Sequence, residues 1–211
     1  MPAPTPDPTL SPKPLVTLFE LYGAGAEYVG RKVSEALGLP FHEQAFSSES
    51  LEEVRAASTE ENATLARVFS VLGGAYGGFD GRDVPTTQRE MYDLVMDNNR
   101  RVHAFSDEGG VIVGRNGAVI LAKRPATVHV LLTGAPEDRI NRAVKEYGIS
   151  PDVAAARQKR EDQVRADMSL TLYGWDPRQP DRYDLVFNTS RISLDSVVDA
   201  ILAAVRGAAQ A

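Results

Sequence analysis

The chain has 211 residues, which suits one domain or one domain with a small lobe, and its 43% hydrophobic and 25% charged residues are an ordinary globular mixture. It has no cysteine, which excludes disulfides, thiolate metal sites and cysteine nucleophiles, and its three histidines are too widely spaced for a paired metal motif. A net charge of −6 argues against polymeric nucleic acid as the main partner. With no apolar run near ~18 residues and no signal-peptide pattern, we expect a cytoplasmic protein that is not bound to a membrane.

The first segments of the chain differ sharply in composition. Six of the 13 prolines lie in residues 1–14, which predicts a disordered arm, and residues 15–211 have the composition of a single folded domain. Leu15–Tyr22 is apolar and rich in β-forming residues, which predicts a buried strand. After the following turn, apolar residues at helical spacing predict a helix that ends at Gly38.

The middle of the chain combines two helix starts with a flexible loop. Ser58-x-x-Glu61 and Thr87-x-x-Glu90 have the form of capping boxes, each of which would open a helix. Between them, five glycines in residues 73–81 predict a flexible loop.

The second half alternates strands with helices. The predicted strands are Val111–Val113, Val128–Thr133 and Leu185–Phe187, and the predicted helices are Pro136–Tyr147 and those beginning after Ser150 and Ser193. The first of these helices is closed by Gly148, and Ser150-Pro151 has the favoured order for a helix start. Because the strands are mostly apolar without strict alternation, this pattern predicts a parallel sheet covered on both faces.

Ligands of open parallel sheets bind beyond the carboxyl ends of the strands, so the residues that follow each strand are candidates for a site. The turn Gly23-Ala-Gly-Ala-Glu27 follows the first strand and leads into a helix. Its small residues would let backbone N–H groups approach an anion, and the helix N-terminus adds a favourable dipole. An ordinary tight turn explains the same residues. Tyr28 stands where a dinucleotide-binding fingerprint would need its third glycine.

Arginines and small polar residues follow the later strands. Arg115 lies between glycines at positions 114 and 117, where its guanidinium could clamp a phosphate or pair with a surface carboxylate. Three more arginines, Arg157, Arg160 and Arg165, share one predicted helix, but Glu161 at i, i+4 spacing could simply pair with them in solvent. Asn188-Thr-Ser190, after the last strand, could meet a base or ribose or form a turn.

The succession of these segments resembles the nucleoside monophosphate kinases of the phosphate-loop class, and most closely the cytidylate kinases and their cytidylate kinase-like relatives. The resemblance runs from about Leu15 to Val205. The segments that carry it are Glu20–Glu27, Gly30–Phe41, Val111–Gly117, Val130–Arg139, Asp162-x-x-Arg165 and Tyr183–Ser193.

The resemblance implies an α/β, three-layer P-loop NTPase fold with a five-stranded parallel sheet, a helical acceptor-binding region at about 47–107 and a short lid at about 148–170. It also implies ATP and Mg²⁺ as cofactors. Gly23, Ala24, Gly25, Ala26 and Glu27 would cradle the phosphates of ATP, with Asn188 and Thr189 also binding the nucleotide. Arg115 and Asn116 would bind the acceptor, and Arg157, Arg160 and Arg165 would neutralise the transferring phosphoryl group.

The chain departs from the cytidylate kinases at three positions, two of which lie in the phosphate loop. They carry lysine at Ala26, serine or threonine at Glu27 and aspartate at Asn116, although many cytidylate kinase-like members also lack the lysine. The changes remove a charged contact to phosphate and a magnesium ligand, and Glu27 adds an anion. Glu27 could bind Mg²⁺ directly or pair with Arg31, while Asn116 weakens the inference that the acceptor base is cytosine.

Three functions therefore stay open. The first is transfer of a phosphoryl group from ATP to CMP, dCMP or a related small acceptor, by positioning and charge stabilisation rather than acid–base chemistry. The second is a non-catalytic nucleotide-binding sensor or scaffold, and the third is a kinase with a non-nucleotide acceptor. The retained arginines favour the first function, and the missing lysine favours the second. The expected partner is a small nucleotide, and the oligomeric state is left open.

Overall fold

A computed structural model describes residues 12–45 and 84–208, without the side chains of residues 84–88, 90 and 91. The predicted helix start at Ser58, the glycine-rich loop and most of the proline-rich arm lie outside these ranges. Within the described residues, no helix is both long and apolar enough to cross a bilayer.

Five parallel strands form one sheet in the order β2-β3-β1-β4-β5. The strands are β1 Leu15–Glu20, β2 Phe41–His42, β3 Gly110–Val113, β4 Thr127–Thr133 and β5 Leu185–Asn188. In the central strand β1, Val16 is in register with Val111 and Val128 of the two neighbouring strands. All four residues of β3 are buried, which explains its continuous apolar sequence.

Helices cover both faces of the sheet. They are α1 Ala26–Leu37, α2 Val84–Glu108, α3 Gly117–Ile120, α4 Pro136–Tyr147, α5 Pro151–Tyr173 and α6 Leu194–Ala208, with a 3₁₀ turn at Pro180–Arg182. On one face α1 and α6 pack against Val16 and Leu18 of β1. On the other face, Val102 of α2 packs against Leu15 and Ile112. The predicted three-layer α/β fold with a five-stranded parallel sheet is confirmed.

Local signals located several element ends correctly. Gly38 and Gly148 adopt left-handed φ values of 65° and 64° and end α1 and α4 as predicted. The Ser150 side chain accepts a hydrogen bond from the backbone N–H of Val153 and so caps α5.

Two boundaries differ from the predictions by more than one residue. Strand β1 ends at Glu20 rather than Tyr22, because the chain turns where the N–H of Ala24 donates to the carbonyl of Leu21. Helix α2 is already formed at Val84, so Thr87 lies inside the helix and does not open it. Pro85 suits the first turn of a helix, where its missing N–H has no intrahelical partner to lose.

Candidate active site

The candidate residues collect at one edge of the sheet. Strands β1 and β3 are parallel neighbours, so the turns that follow them, Gly23–Glu27 and Gly114–Asn116, leave the sheet side by side. Strands β4 and β5 end at the same edge, where the N–H of Thr189 donates to the carbonyl of Thr133 at 2.8 Å.

Glycine is required at two positions of the turn that opens α1. Gly23 has φ 76°, and a Cβ there would collide with the backbone carbonyl of Arg139 on α4. Gly25, the N-cap of α1, has φ 98°, and a Cβ there would come within 2.9 Å of the Leu194 side chain. The loop is therefore closely packed against α4 and α6.

The start of α1 binds an anion that belongs to the chain itself. Oε2 of Glu20 accepts hydrogen bonds from the N–H groups of Gly25 and Ala26, both at 2.9 Å. The Glu20 side chain is only 12% exposed. This pair of N–H groups therefore binds one carboxylate oxygen at the N-terminus of a helix, where the dipole favours an anion. Glu20 was not among the predicted site residues. The sequence feature that could have indicated it is a carboxylate at the end of an otherwise apolar strand.

Two arginines of α4 donate hydrogen bonds to carbonyl groups at the start of the loop. Arg139, whose side chain is 3% exposed, donates to the carbonyl of Tyr22 at 2.9 Å. Arg142 donates to the carbonyl of Gly23 at 2.7 Å and to that of Thr189 at 2.9 Å. Both arginines therefore bind carbonyl groups, whereas the N–H groups of Gly25 and Ala26 bind Glu20. These residues were also not predicted as part of the site, although their i, i+3 spacing places them on one face of α4.

Asp162 of α5 completes this support. Its carboxylate accepts from the N–H of Tyr22 at 2.7 Å, from Arg139 at 3.0 Å and from Gln158 at 2.7 Å. One partly buried carboxylate, 15% exposed, thus joins the phosphate loop, α4 and α5.

The three predicted catalytic arginines lie on α5, and two of them contact a buried carboxylate. Glu161 is fully buried; Arg165 contacts it at 2.8 Å and Arg160 at 3.7 Å. Arg157 is also buried, on the preceding turn. Arg165 further reaches β1, with its Nη1 3.9 Å from Oε1 of Glu20. Helix α5 therefore brings an arginine to the side of the phosphate loop.

Arg115 and Asn116, the predicted acceptor residues, form a strained turn. Both have left-handed φ values, 55° and 57°, which are uncommon outside glycine. The Arg115 Nε donates to the carbonyl of Glu43 at 3.1 Å, and its guanidinium lies 5.3 Å from the ring centre of Phe105. Burial lowers the pKa of Arg115, and the nearby charge of Arg101 lowers it further.

Within the described residues, Arg115 forms no salt bridge, so no carboxylate there neutralises it. Asn98 of α2 holds this turn, because its Nδ2 donates to the Arg115 carbonyl at 2.9 Å. The same amide donates to the hydroxyl of Tyr173, at the end of α5, at 2.7 Å. Asn116 lines a small cleft beside Trp175. Helix α5 is thus linked to both turns of the site.

The predicted nucleotide-binding residues at the end of β5, Asn188 and Thr189, bind the protein itself. The Oδ1 of Asn188 accepts from the N–H of Ser190 at 3.0 Å. Thr189 is buried, and its hydroxyl donates to the carbonyl of Thr133 at 3.0 Å. Arg142 contacts both Thr189 and the carbonyl of Gly23, so Thr189 helps to position the arginine that holds the phosphate loop.

The rim of the phosphate loop is acidic. Glu27 pairs with Arg31 at 3.1 Å on the exposed surface of α1. Desolvation raises the pKa of Glu146 on α4, and the carboxylates of Glu20 and Glu27 raise it further. Across the ranges 12–45 and 84–208, no group of three His, Asp or Glu side chains could hold a metal ion. An incoming phosphate would therefore meet several carboxylates.

Two cytidylate kinases and a uronate isomerase are similar in sequence to this chain. The cytidylate kinase of Methanopyrus kandleri is 29% identical over 202 residues, covering 90% of this chain and 92% of its own length. The cytidylate kinase of Pyrococcus horikoshii is 24% identical over 193 residues, covering 92% and 88%. A uronate isomerase of Corynebacterium glutamicum is 32% identical over 109 residues; this match covers 52% of the chain, which spans about a fifth (21%) of that relative.

Among solved structures, an uncharacterized protein from Eubacterium ventriosum shares the fold, with a TM-score of 0.62 at 17% identity over 92% of this chain and 99% of that one. The model of the cytidylate kinase-like family matches residues 15–191, which include both turns of the site and helices α4 and α5. The chain belongs to the cytidylate kinase-like family.

Proposed function

We propose that this protein transfers the γ-phosphoryl group of ATP to CMP, dCMP or a related small acceptor. The observation that carries the proposal is the position of α5, which contacts both turns of the site. Arg165 lies against Glu20 beside the phosphate loop, and Tyr173 binds Asn98, which holds the carbonyl of Arg115. One helix thus connects a donor site with an acceptor site, as phosphoryl transfer by positioning requires.

Each group of residues has a distinct task in this proposal. The N–H groups of Gly25 and Ala26 hold phosphate oxygens of ATP, and they fit an anion because they already bind a carboxylate. Bound ATP supplies the phosphoryl group, and Mg²⁺ supplies positive charge at its phosphates. Arg115 orients the acceptor phosphate through two parallel hydrogen bonds. The arginines of α5, Arg157, Arg160 and Arg165, stabilise the charge on the transferring group.

A specific observation favours the second candidate, a nucleotide-binding sensor or scaffold without catalysis. Ala26 provides no ammonium group for the β- and γ-phosphates, and Glu27 is paired with Arg31 rather than free to bind Mg²⁺. A loop of this kind binds phosphate through its backbone alone.

The deciding experiment incubates the protein with ATP and Mg²⁺ against a panel of nucleoside monophosphates and follows ³¹P NMR for ADP and a new diphosphate. A uronate is tested beside the panel as a non-nucleotide acceptor, because one relative is a uronate isomerase. Asn116 also weakens the inference that the acceptor base is cytosine. Transfer to CMP or dCMP supports the proposal. Transfer to the uronate alone would show that the acceptor is not a nucleotide.

Thermal melting with the same ligands separates binding from turnover. A bound nucleotide at ~100 times its Kd should stabilise the protein by ~2.7 kcal/mol. Stabilisation without transfer would support the sensor. Unchanged melting with every nucleotide up to millimolar concentration would refute both nucleotide-dependent functions.

A further inference from the structure

The carboxylate of Glu20 contacts the groups that the proposed function gives to the phosphates of ATP. Its Oε2 accepts from the N–H groups of Gly25 and Ala26. Its Oε1 lies 3.9 Å from Nη1 of Arg165, the arginine proposed to neutralise the transferring phosphoryl group. A single side chain therefore meets both the backbone and the arginine partners of a phosphate.

This contact needs an explanation because α1 already begins with an acidic residue. Gly25 is the N-cap and has no side chain to satisfy the first N–H groups of the helix. Glu27 lies in the first turn, but its carboxylate pairs with Arg31. Glu20 instead reaches from the end of β1 to occupy the N–H groups. Those groups cannot donate fully to Glu20 and to a phosphate oxygen at the same time.

Because both are anions, the Glu20 carboxylate and a phosphate cannot bind the N–H groups of Gly25 and Ala26 together. A phosphate placed on these N–H groups while Glu20 stayed in contact would bring two anions together in a largely buried site. Such like-charge contacts are weakly screened away from water. The neighbouring carboxylates, Glu27 and Glu146, add to the repulsion. Arg165 lies beside Glu20 and can still pair with its carboxylate after it leaves the N–H groups.

We propose that Glu20 is an internal competitor of the nucleotide phosphate: its carboxylate occupies the anion-binding N–H groups of Gly25 and Ala26 and must leave them when phosphate binds. This inference rests on the proposed function and adds to it a device that lowers nucleotide affinity and links the phosphate loop to α5. Nucleotide binding then includes the release of Glu20 from the N–H groups of the loop.

The test measures ATP affinity by calorimetry in the wild type and three variants. Glu20→Gln removes the charge, and Glu20→Asp keeps the charge but shortens the side chain so that it cannot bridge both N–H groups. Glu27→Gln is the matched control, since it removes an equal charge from the same end of α1 without touching these groups. Because charge-assisted hydrogen bonds are roughly twice as strong as neutral ones, we expect Glu20→Gln to bind ATP about tenfold more tightly.

Glu20→Asp should also bind ATP more tightly, and Glu27→Gln should change the affinity far less than Glu20→Gln. Equal gains in Glu20→Gln and Glu27→Gln, with none in Glu20→Asp, would show a general charge effect and overturn the proposal. In the wild type, the ¹³Cδ chemical shift of Glu20 must change when ATP or inorganic phosphate saturates the protein. An unchanged shift on saturation overturns the proposal without any variant.

Inorganic phosphate separates this inference from the proposed function. If the amide signals of Gly25 and Ala26 titrate with phosphate at lower concentration in Glu20→Gln than in the wild type, the competitor stands even where phosphoryl transfer to CMP fails. If transfer occurs but neither Glu20 variant binds ATP or phosphate more tightly than the wild type, the proposed function stands and the competitor is refuted.

Discussion

Removing the Asp162 carboxylate should destabilise the protein strongly. In Asp162→Ala the guanidinium of Arg139, which is 3% exposed, keeps its carbonyl partners but loses the carboxylate 3.0 Å away. The N–H of Tyr22 loses its acceptor at 2.7 Å as well. Breaking a buried pair from one side costs about 3–5 kcal/mol. At ~2–4 °C per kcal/mol for a chain of this size, the melting temperature should fall by about 6–20 °C.

Urea unfolding followed by circular dichroism measures this loss. Gln163→Ala is the matched control, because Gln163 is an exposed neighbour on α5 whose side chain bonds only across the helix surface to Asp167 at 2.7 Å. The control should stay within about 0.5 kcal/mol of the wild type. Asp162→Asn, which retains one acceptor oxygen, should lie between the two. A loss below ~1 kcal/mol in Asp162→Ala would show that the carboxylate does not hold the arginine and the loop together, contrary to the stated cost of breaking a buried pair.

Three further outcomes are expected. Gly23→Ala should unfold at lower urea than Gly148→Ala, because both incur the roughly 1–2 kcal/mol left-handed penalty but only Gly23 lacks room for a Cβ; equal midpoints would contradict this. Arg115→Lys should weaken monophosphate binding in calorimetry and leave the melting temperature nearly unchanged, and the reverse result would make Arg115 a scaffold residue. Burial lowers the pKa of His129, so the unfolded chain binds more protons just below the ordinary value of about 6.5. Urea midpoints should therefore fall from about pH 7 to pH 5, and less so in His129→Gln.

The fold could be predicted because its signals are local. Apolar runs such as Val128–Thr133 mark strands buried on both faces, and glycines such as Gly148 stand where only a left-handed residue fits. The capping box at Thr87 failed for a local reason too, since a similar pattern inside a helix looks the same as one at its start. Sequence spacing alone does not separate the two cases.

The site was less predictable because its contacts join distant parts of the chain. Asp162 binds the N–H of Tyr22 across 140 residues, and Arg142 binds Gly23 across 119. The i, i+4 spacing of Glu161 and Arg165 correctly indicates a pair, but it gives no information on depth, and the pair is buried. Only the packing of α5 against the loop decides whether such charges face water or the protein.

The left-handed turn at Arg115 and Asn116 is a place where backbone strain lowers the stability of the fold. Two consecutive residues with φ values of 55° and 57° are held in a conformation that costs of order 1–3 kcal/mol per residue, and glycine would adopt it freely. The turn keeps an arginine at the first of these positions, and Asn98 holds its carbonyl in place. Glycine at position 115 would relieve this strain, but it would also remove the guanidinium that the turn orients, with its contacts to Glu43 and Phe105.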